Sequence, residues 1–315
     1  MKLDFGTIKR SQPDPFIFEA EGRYFLYVTA HDGVEAYSAD DPFGRWSFEG
    51  IVCTIGTHKS YWAPSVIRIG EWYYIYVSCE DVGMFQFLHV ARSRSPLGPF
   101  VDAKCLFDRF SIDSHVVETK DGLFLWYAED DRDTDRIGTR VYVDRLLDPY
   151  TPAYEPREVV APTFDEEIFK RDRYGDGRDW HTIEGAFWFE EGDWQYVMYS
   201  GACYENDTYH IGYAAAHTTE QDLTKVDFVK HTANGAFDPV MTKNEYEEGV
   251  GHHSVLKYKG EYYAVYHGRD LDTNDGLTGD RRTARICRLR VHDGIITAER
   301  GGGLRPQADI GVREA

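Results

Sequence analysis

The sequence predicts an all-β fold, a five-bladed β-propeller with four-stranded blades around a central channel. Two observations lead there. Aromatic residues make up 15 % of the 315 residues, with 22 Tyr, 18 Phe and 7 Trp beside 29 Gly, a profile that aromatic strands punctuated by glycine turns produce. One hairpin pattern, a glycine followed by an alternating aromatic-rich strand, also occurs five times, starting at Gly22, Gly70, Gly122, Gly192 and Gly260.

Each of these glycines follows a short apolar strand and a polar turn, as in residues 16–22 and 255–260, which is a hairpin signature. The starts lie 48, 52, 70 and 68 residues apart, about the length of a four-stranded blade with its loops. A β-sandwich would also give short, regularly spaced strands, but it does not predict five copies of one hairpin. Outer strands are expected at 34–38, 88–93 and 211–215, with Pro/Gly turns at 41–46 and 95–100. Residues 148–178, Pro-rich and then charged, read as a surface loop between the third and fourth hairpins, and 218–226 as a short helix. No low-complexity linker interrupts the series, so residues 1–315 are expected to form a single domain.

The formal charge of −19, from 35 basic and 54 acidic residues, argues against nucleic acid or membrane surfaces as partners, since both require a positive footprint. The first ten residues lack the charged-then-apolar order of a secretory signal, and no run of about 18 apolar residues could span a bilayer. The five cysteines (Cys53, Cys79, Cys105, Cys203 and Cys287) are odd in number and contain no CxxC pair, which suits free thiols in a reducing cytoplasm better than structural zinc or a disulfide framework.

The repeat also picks out chemistry. Eight residues before Gly22, Gly70, Gly192 and Gly260 stand Asp14, Trp62, Glu184 and His252. Before Gly122 stands Ser114, with Asp113 next to it and a turn longer by one residue. The innermost strands of a propeller run side by side around its channel, so their starts converge at one end. Three carboxylates, a His and a Trp would meet there, although like charges held close cost stability.

Two carboxyl groups dividing acid and base roles are the core of glycoside hydrolysis. Glu184, set among Trp180, Phe187 and Trp188, has its charged form disfavoured and suits the general acid. Asp14, if hydrogen-bonded, stays ionised and suits the base. Asp113 would raise the pKa of Glu184 and orient it. Phe16, Tyr61, Trp62, Trp180 and His181 could form an apolar wall for a sugar face.

These residues sit in local motifs that resemble glycoside hydrolase family 43 from about Gln12 to Gly294. Pro13-Asp14-Pro15 is similar to the family's general-base segment and residues 61–66 (YWAPSV) to its second-blade signature. Residues 112–114 (IDS) resemble the segment with the pKa-modulating aspartate, 183–185 (IEG) the general-acid segment, and 251–255 (GHHSV) the fifth-blade motif whose His252 points into the channel. Arg281 looks like the family's substrate-contacting arginine, a place that Arg282 or Arg285 could also take. One departure is Ala186, where proline is usual.

The resemblance implies an inverting exo-acting glycosidase on short plant-type oligosaccharides, with terminal α-L-arabinofuranose the leading substrate and β-D-xylose the alternative. A transferase or β-fructosidase is disfavoured by the absence of an Arg-Asp-Pro motif. A non-catalytic sugar-binding propeller, the reading from another class, would not need a complete Asp, Asp, Glu set. No cofactor is expected to be required, although the resemblance leaves room for a calcium ion near His252. Residues 270–276, rich in Asp, match a calcium loop only superficially, because position six is Asp275 and position twelve Arg281. Residues 131–135 depart from it similarly.

Overall fold

The computed structural model describes residues 1–80, 85–271 and 279–301. The acidic stretch at 270–276 therefore falls mostly outside the described residues.

The hairpins form as the glycine pattern predicts, each opening a blade. Blade 1 consists of β1 (Phe16–Ala20), β2 (Arg23–Val28), β3 (Val34–Ala39) and β4 (Ser47–Cys53), and blade 2 of β5 (Lys59–Ile69), β6 (Trp72–Glu80), β7 (Gln86–Ser93) and β8 (Val101–Cys105). Blade 3 has β9 (Ile112–Thr119), β10 (Gly122–Asp131) and β11 (Gly138–Asp148), with the short β12 (Thr151–Pro152) and β13 (Arg157–Val160) both paired to β11. The three-residue β14 (Ile168–Lys170) leads into blade 4, built from β15 (Trp180–Glu191), β16 (Trp194–Gly201), β17 (His210–His217) and β18 (Val229–Lys230). Blade 5 is β19 (Glu247–Tyr258), β20 (Glu261–Asp270), β21 (Thr283–His292) and β22 (Ile295–Glu299). Neighbouring strands within each blade are antiparallel.

The apolar faces of the blades meet in seams that run right round the ring. Phe25 and Tyr27 of blade 1 pack with Ile75 and Val77 of blade 2. Tyr76 and Leu88 of blade 2 meet Leu125 and Tyr127 of blade 3, and Trp126 and Val141 of blade 3 meet Val197 and Tyr199 of blade 4. Tyr196 and Met198 of blade 4 meet Tyr266 and Leu289 of blade 5, whose Val265 and Ile286 return to Leu26 and Tyr37 of blade 1. Burying an aromatic or aliphatic side chain in such a seam contributes about 1.5–3 kcal/mol. The N-terminal segment strengthens the last seam, with Leu3 donating to the Ala284 carbonyl and Gln12 to the Arg282 carbonyl.

Blades 3 and 4 also pair edge to edge, through a parallel contact of Gly138 and Thr139 with His181 and Thr182. Glycine is required there: a Cβ on residue 138 would sit 1.9 Å from the His181 carbonyl oxygen.

The expected outer strands at 34–38, 88–93 and 211–215 are β3, β7 and β17. Two expectations need correction. Residues 148–178 are not simply a surface loop, because they supply β12, β13 and β14 and carry Phe169 and Arg173 to the wall of a central cavity. The helix expected at 218–226 is only a 3-10 turn, Leu223–Lys225, capped by Asp222. Among the described residues no helix is long and apolar enough to cross a membrane.

Candidate active site

The inner strand of every blade begins with the same backbone distortion. Asp14, Ala63, Asp113, Gly185 and His252 all have positive φ, between 40° and 62°, a region that residues other than glycine enter at a cost of roughly 1–2 kcal/mol. The sequence count placed Trp62 and Glu184 at this address, and the structure moves both one residue along. Register shifts follow between Trp62 and Ser65 and between Glu184 and Phe187, and such bulges re-aim side chains. At Gly185 a second constraint applies, since a Cβ would come within 3.3 Å of His252 Nδ1.

Hydrogen bonds link these inner strands around the channel. Thr29 Oγ1 accepts from the Ala63 amide at 2.8 Å and donates to Asp14 Oδ2 at 2.6 Å. Ser65 and Ser114 hydroxyls lie 3.1 Å apart, and the Trp188 amide donates to His115 Nδ1. The His252 amide donates to Ser200 Oγ at 2.7 Å. Ser254 Oγ accepts from Ile17 N and donates to the Pro15 carbonyl. Every blade is thus tied to the next at the level of the carboxylates.

Asp14, Asp113 and Glu184 line one cavity of about 390 Å³, together with Trp62, Trp180 and His252. Burial alone would raise the Asp14 pKa, but the Arg282 guanidinium, its Nη1 3.1 Å from Asp14 Oδ1, outweighs it with help from His252 and His267. The carboxyl is held well below the usual carboxylate range. Burial pushes His267 down to about 4, and its Nδ1 lies 3.2 Å from Asp14 Oδ1 and 3.2 Å from the Asp14 amide nitrogen.

Glu184 moves the other way. Burial, with Asp14 adding to it, pushes it up to about 7, against a hydrogen bond from Tyr209 Oη to Glu184 Oε1 at 2.7 Å. Asp113 is raised as well, by burial and by the charges of Glu184 and Asp14. The two carboxyls titrate together. Asp113 Oδ2 accepts the Gly185 amide hydrogen at 3.1 Å, a bond that favours its ionised form. The site therefore holds a carboxylate and a carboxylic acid side by side near neutral pH.

Other expected binding residues divide by strand alternation. Trp180 and Glu184 face the cavity with Thr182 between them, whereas His181 points away, its Nε2 3.0 Å from Arg136 Nη1. Trp62 lines the cavity and is 38 % exposed, but the adjacent Tyr61 is fully buried and accepts the Ile55 amide at its hydroxyl. Phe16 lies beneath, packed on His115 and Phe187. Arg282 lines the cavity, as Arg173 does, and Arg281 does not. Tyr61, His181, Phe16 and Arg281 are thus corrected as wall residues.

Sequence reading missed Thr29, Gln86, Asp130, Phe169, Arg173, Tyr204 and Tyr209, all on the cavity wall. Most lie on second strands or in inserted segments, outside the counted position. Tyr209 had one readable signal: Gly251 precedes His252, and a Cβ there would strike the Tyr209 ring at 1.9 Å.

Below the carboxylates, Asp14, Asp113, His115, His252 and His253 surround a chamber of about 10 Å³, room for roughly one water-sized sphere. Its donors are mostly imidazoles and its walls include Phe16 and Phe187. Calcium takes about 6–8 oxygen ligands, which these residues do not supply.

The family model described as Glycosyl hydrolases family 43 matches residues 6–296. A curated relative, alpha-L-arabinofuranosidase B of Pyricularia oryzae, is 24 % identical over 302 residues, covering 86 % of this chain and 59 % of that protein. The chain thus spans 59 % of the length of that relative. Among solved structures, a thermostable family-43 glycoside hydrolase aligns with TM-score 0.77 and 27 % identity over 98 % of both chains. An endo-1,4-beta-xylanase of Bacteroides thetaiotaomicron VPI-5482 aligns with TM-score 0.73 and 23 % identity, over 93 % of this chain and 96 % of that one.

Proposed function

The chain belongs to glycosyl hydrolases family 43 and is a glycoside hydrolase, and we propose that it releases a terminal pentose, α-L-arabinofuranose, from short oligosaccharides by inversion. The observation that carries this reading is the pairing, in one cavity, of Asp14 held ionised and Glu184 held protonated up to about 7.

In the proposed reaction Asp14 takes a proton from a water molecule as its oxygen attacks the anomeric carbon. The glycosidic carbon–oxygen bond breaks, and Glu184 gives its proton to the leaving oxygen. Asp14 ends protonated and Glu184 ionised, and exchange with solvent resets both. Inversion requires about 6.5–9.5 Å between the two carboxyls, to admit the water. Asp113 supports the acid by fixing the Gly185 amide and by adding negative charge, and Tyr209 orients the Glu184 carboxyl. Trp62, Phe169 and Trp180 supply aromatic surface for sugar faces. None of these steps calls on a cofactor.

The preference for arabinose is supported by the curated arabinofuranosidase relative. Five cysteines outside any disulfide, four of them buried, support action in a reducing cytoplasm on imported fragments. Paired rates on nitrophenyl α-L-arabinofuranoside and β-D-xylopyranoside test the assignment. Faster release of arabinose is expected, faster release of xylose would reassign the sugar, and sugar binding without turnover of either would overturn the catalytic reading.

A further inference from the structure

A cluster on blade 2 has chemistry that hydrolysis does not use. Cys79 lies on β6 and His89 on β7, where Val77 pairs with His89 and Cys79 with Phe87. In antiparallel pairing this sets Cys79 and His89 diagonally on one face, with Cys79 Sγ 3.5 Å from His89 Nδ1. His58 reaches the same point from the segment between β4 and β5, its ring 5.2 Å from that of His89 and nearly perpendicular to it. One ligand atom from each residue falls within 4.8 Å of the others. Cys79 and His89 are buried and His58 is half-buried.

We propose that His58, Cys79 and His89 form a binding site for a thiophilic divalent transition metal of the zinc class. One thiolate and two imidazoles suit zinc and its neighbours and do not suit calcium or magnesium, which take oxygen. A tetrahedral ion with zinc–sulfur and zinc–nitrogen bonds of about 2.3 and 2.0–2.1 Å sets its ligands roughly 3.3–3.6 Å apart. The Cys79–His89 separation already meets that spacing, and His58 closes the third side by a small side-chain movement. A water molecule completes the fourth position.

Binding deprotonates Cys79, the proton passing to solvent, so affinity rises with pH. In the metal-free chain His89 Nδ1 donates to the Phe87 carbonyl at 2.8 Å, a hydrogen bond that metal binding at Nδ1 replaces. The consequence is mechanical. The metal fastens the segment at 54–58 to β6 and β7, a few residues ahead of Trp62, and the Ser60 carbonyl, just beyond that segment in β5, already accepts from Gln86 of the cavity wall. The site is distinct from the carboxylates and does not depend on which sugar the enzyme cleaves.

The test uses the whole untagged chain, stripped with chelator and titrated with zinc by calorimetry and with cobalt(II) by absorbance. Expected are one zinc per chain, a higher melting temperature with zinc, and a thiolate-to-cobalt band in the near ultraviolet. The Cys79→Ser variant loses that band. The His58→Ala variant, altered at a half-buried position away from the cavity, keeps metal-free hydrolysis and binds zinc at least about tenfold more weakly. If the wild-type chain takes up no zinc, or if the folded His58→Ala variant binds it as the wild type does, the proposal is overturned. Should Cys79→Ser fail to fold, the His58 variant decides alone.

Discussion

The amide of Gly185 donates to Oδ2 of Asp113 at 3.1 Å, tying the carboxylate that opens blade 3 to the turn that holds Glu184 in blade 4. Because Gly185 is in the left-handed region with His252 packed close by, this one bond fixes Glu184 relative to two other members of the site. The remaining contacts act on proton affinity, and they lead to separate measurements.

Removing the Tyr209 hydroxyl should move the alkaline limb of the pH profile. The hydrogen bond from Tyr209 lowers the pKa of Glu184 against the larger effect of burial. Tyr209→Phe therefore raises that pKa, and the alkaline fall of kcat/KM shifts to higher pH. A shift to lower pH, or none, would mean that another group controls that limb.

Arg282 acts in the opposite sense on the base. Its guanidinium holds Asp14 well below the usual carboxylate range, so in Arg282→Gln the acid limb of kcat/KM should move upward in pH while the alkaline limb shows the smaller change. An unchanged acid limb would separate Arg282 from the base.

A raised acid also burdens folding. Unfolded, Glu184 titrates near 4.5; folded, near 7. Below the unfolded value both states hold the proton; as pH rises through this window the unfolded state loses its proton first, and stability falls by linkage. Glu184→Gln should therefore melt higher than the wild type at pH 8 by a few degrees, and by less at pH 4. Scanning calorimetry at the two pH values checks the difference.

Much of this arrangement was legible in the chain. The recurring glycine hairpins determine the blades because turn chemistry is local, and counting back from them reaches Asp14, Asp113, Glu184 and His252 to within one residue. Trp62 and Glu184 were displaced by one because bulges shift register without leaving a mark in composition. Tyr61 and His181 were misplaced because an aromatic residue beside a site residue on a strand usually faces the other way. Tyr209, Phe169 and Arg173 arrive from the second hairpin of blade 4 and from the segment before it, and that convergence is a property of the closed ring.

Gly251 offers a check on that convergence. With no room for a Cβ against the Tyr209 ring, Gly251→Ala should push the ring off Glu184, lowering kcat more than it raises KM. An active variant with the wild-type pH profile would show that Tyr209 does not position the acid.

The central claim is that Asp14 and Glu184 divide base and acid roles, and the most direct measurement is hydrolysis of nitrophenyl α-L-arabinofuranoside by Asp14→Asn and Glu184→Gln variants shown to be folded by circular dichroism. Asp14→Asn should lose at least about 10²-fold in kcat; Glu184→Gln should lose as much on an arabinosyl oligosaccharide and less on the nitrophenyl glycoside, whose leaving group needs little protonation. Folded variants with wild-type rates would contradict the account.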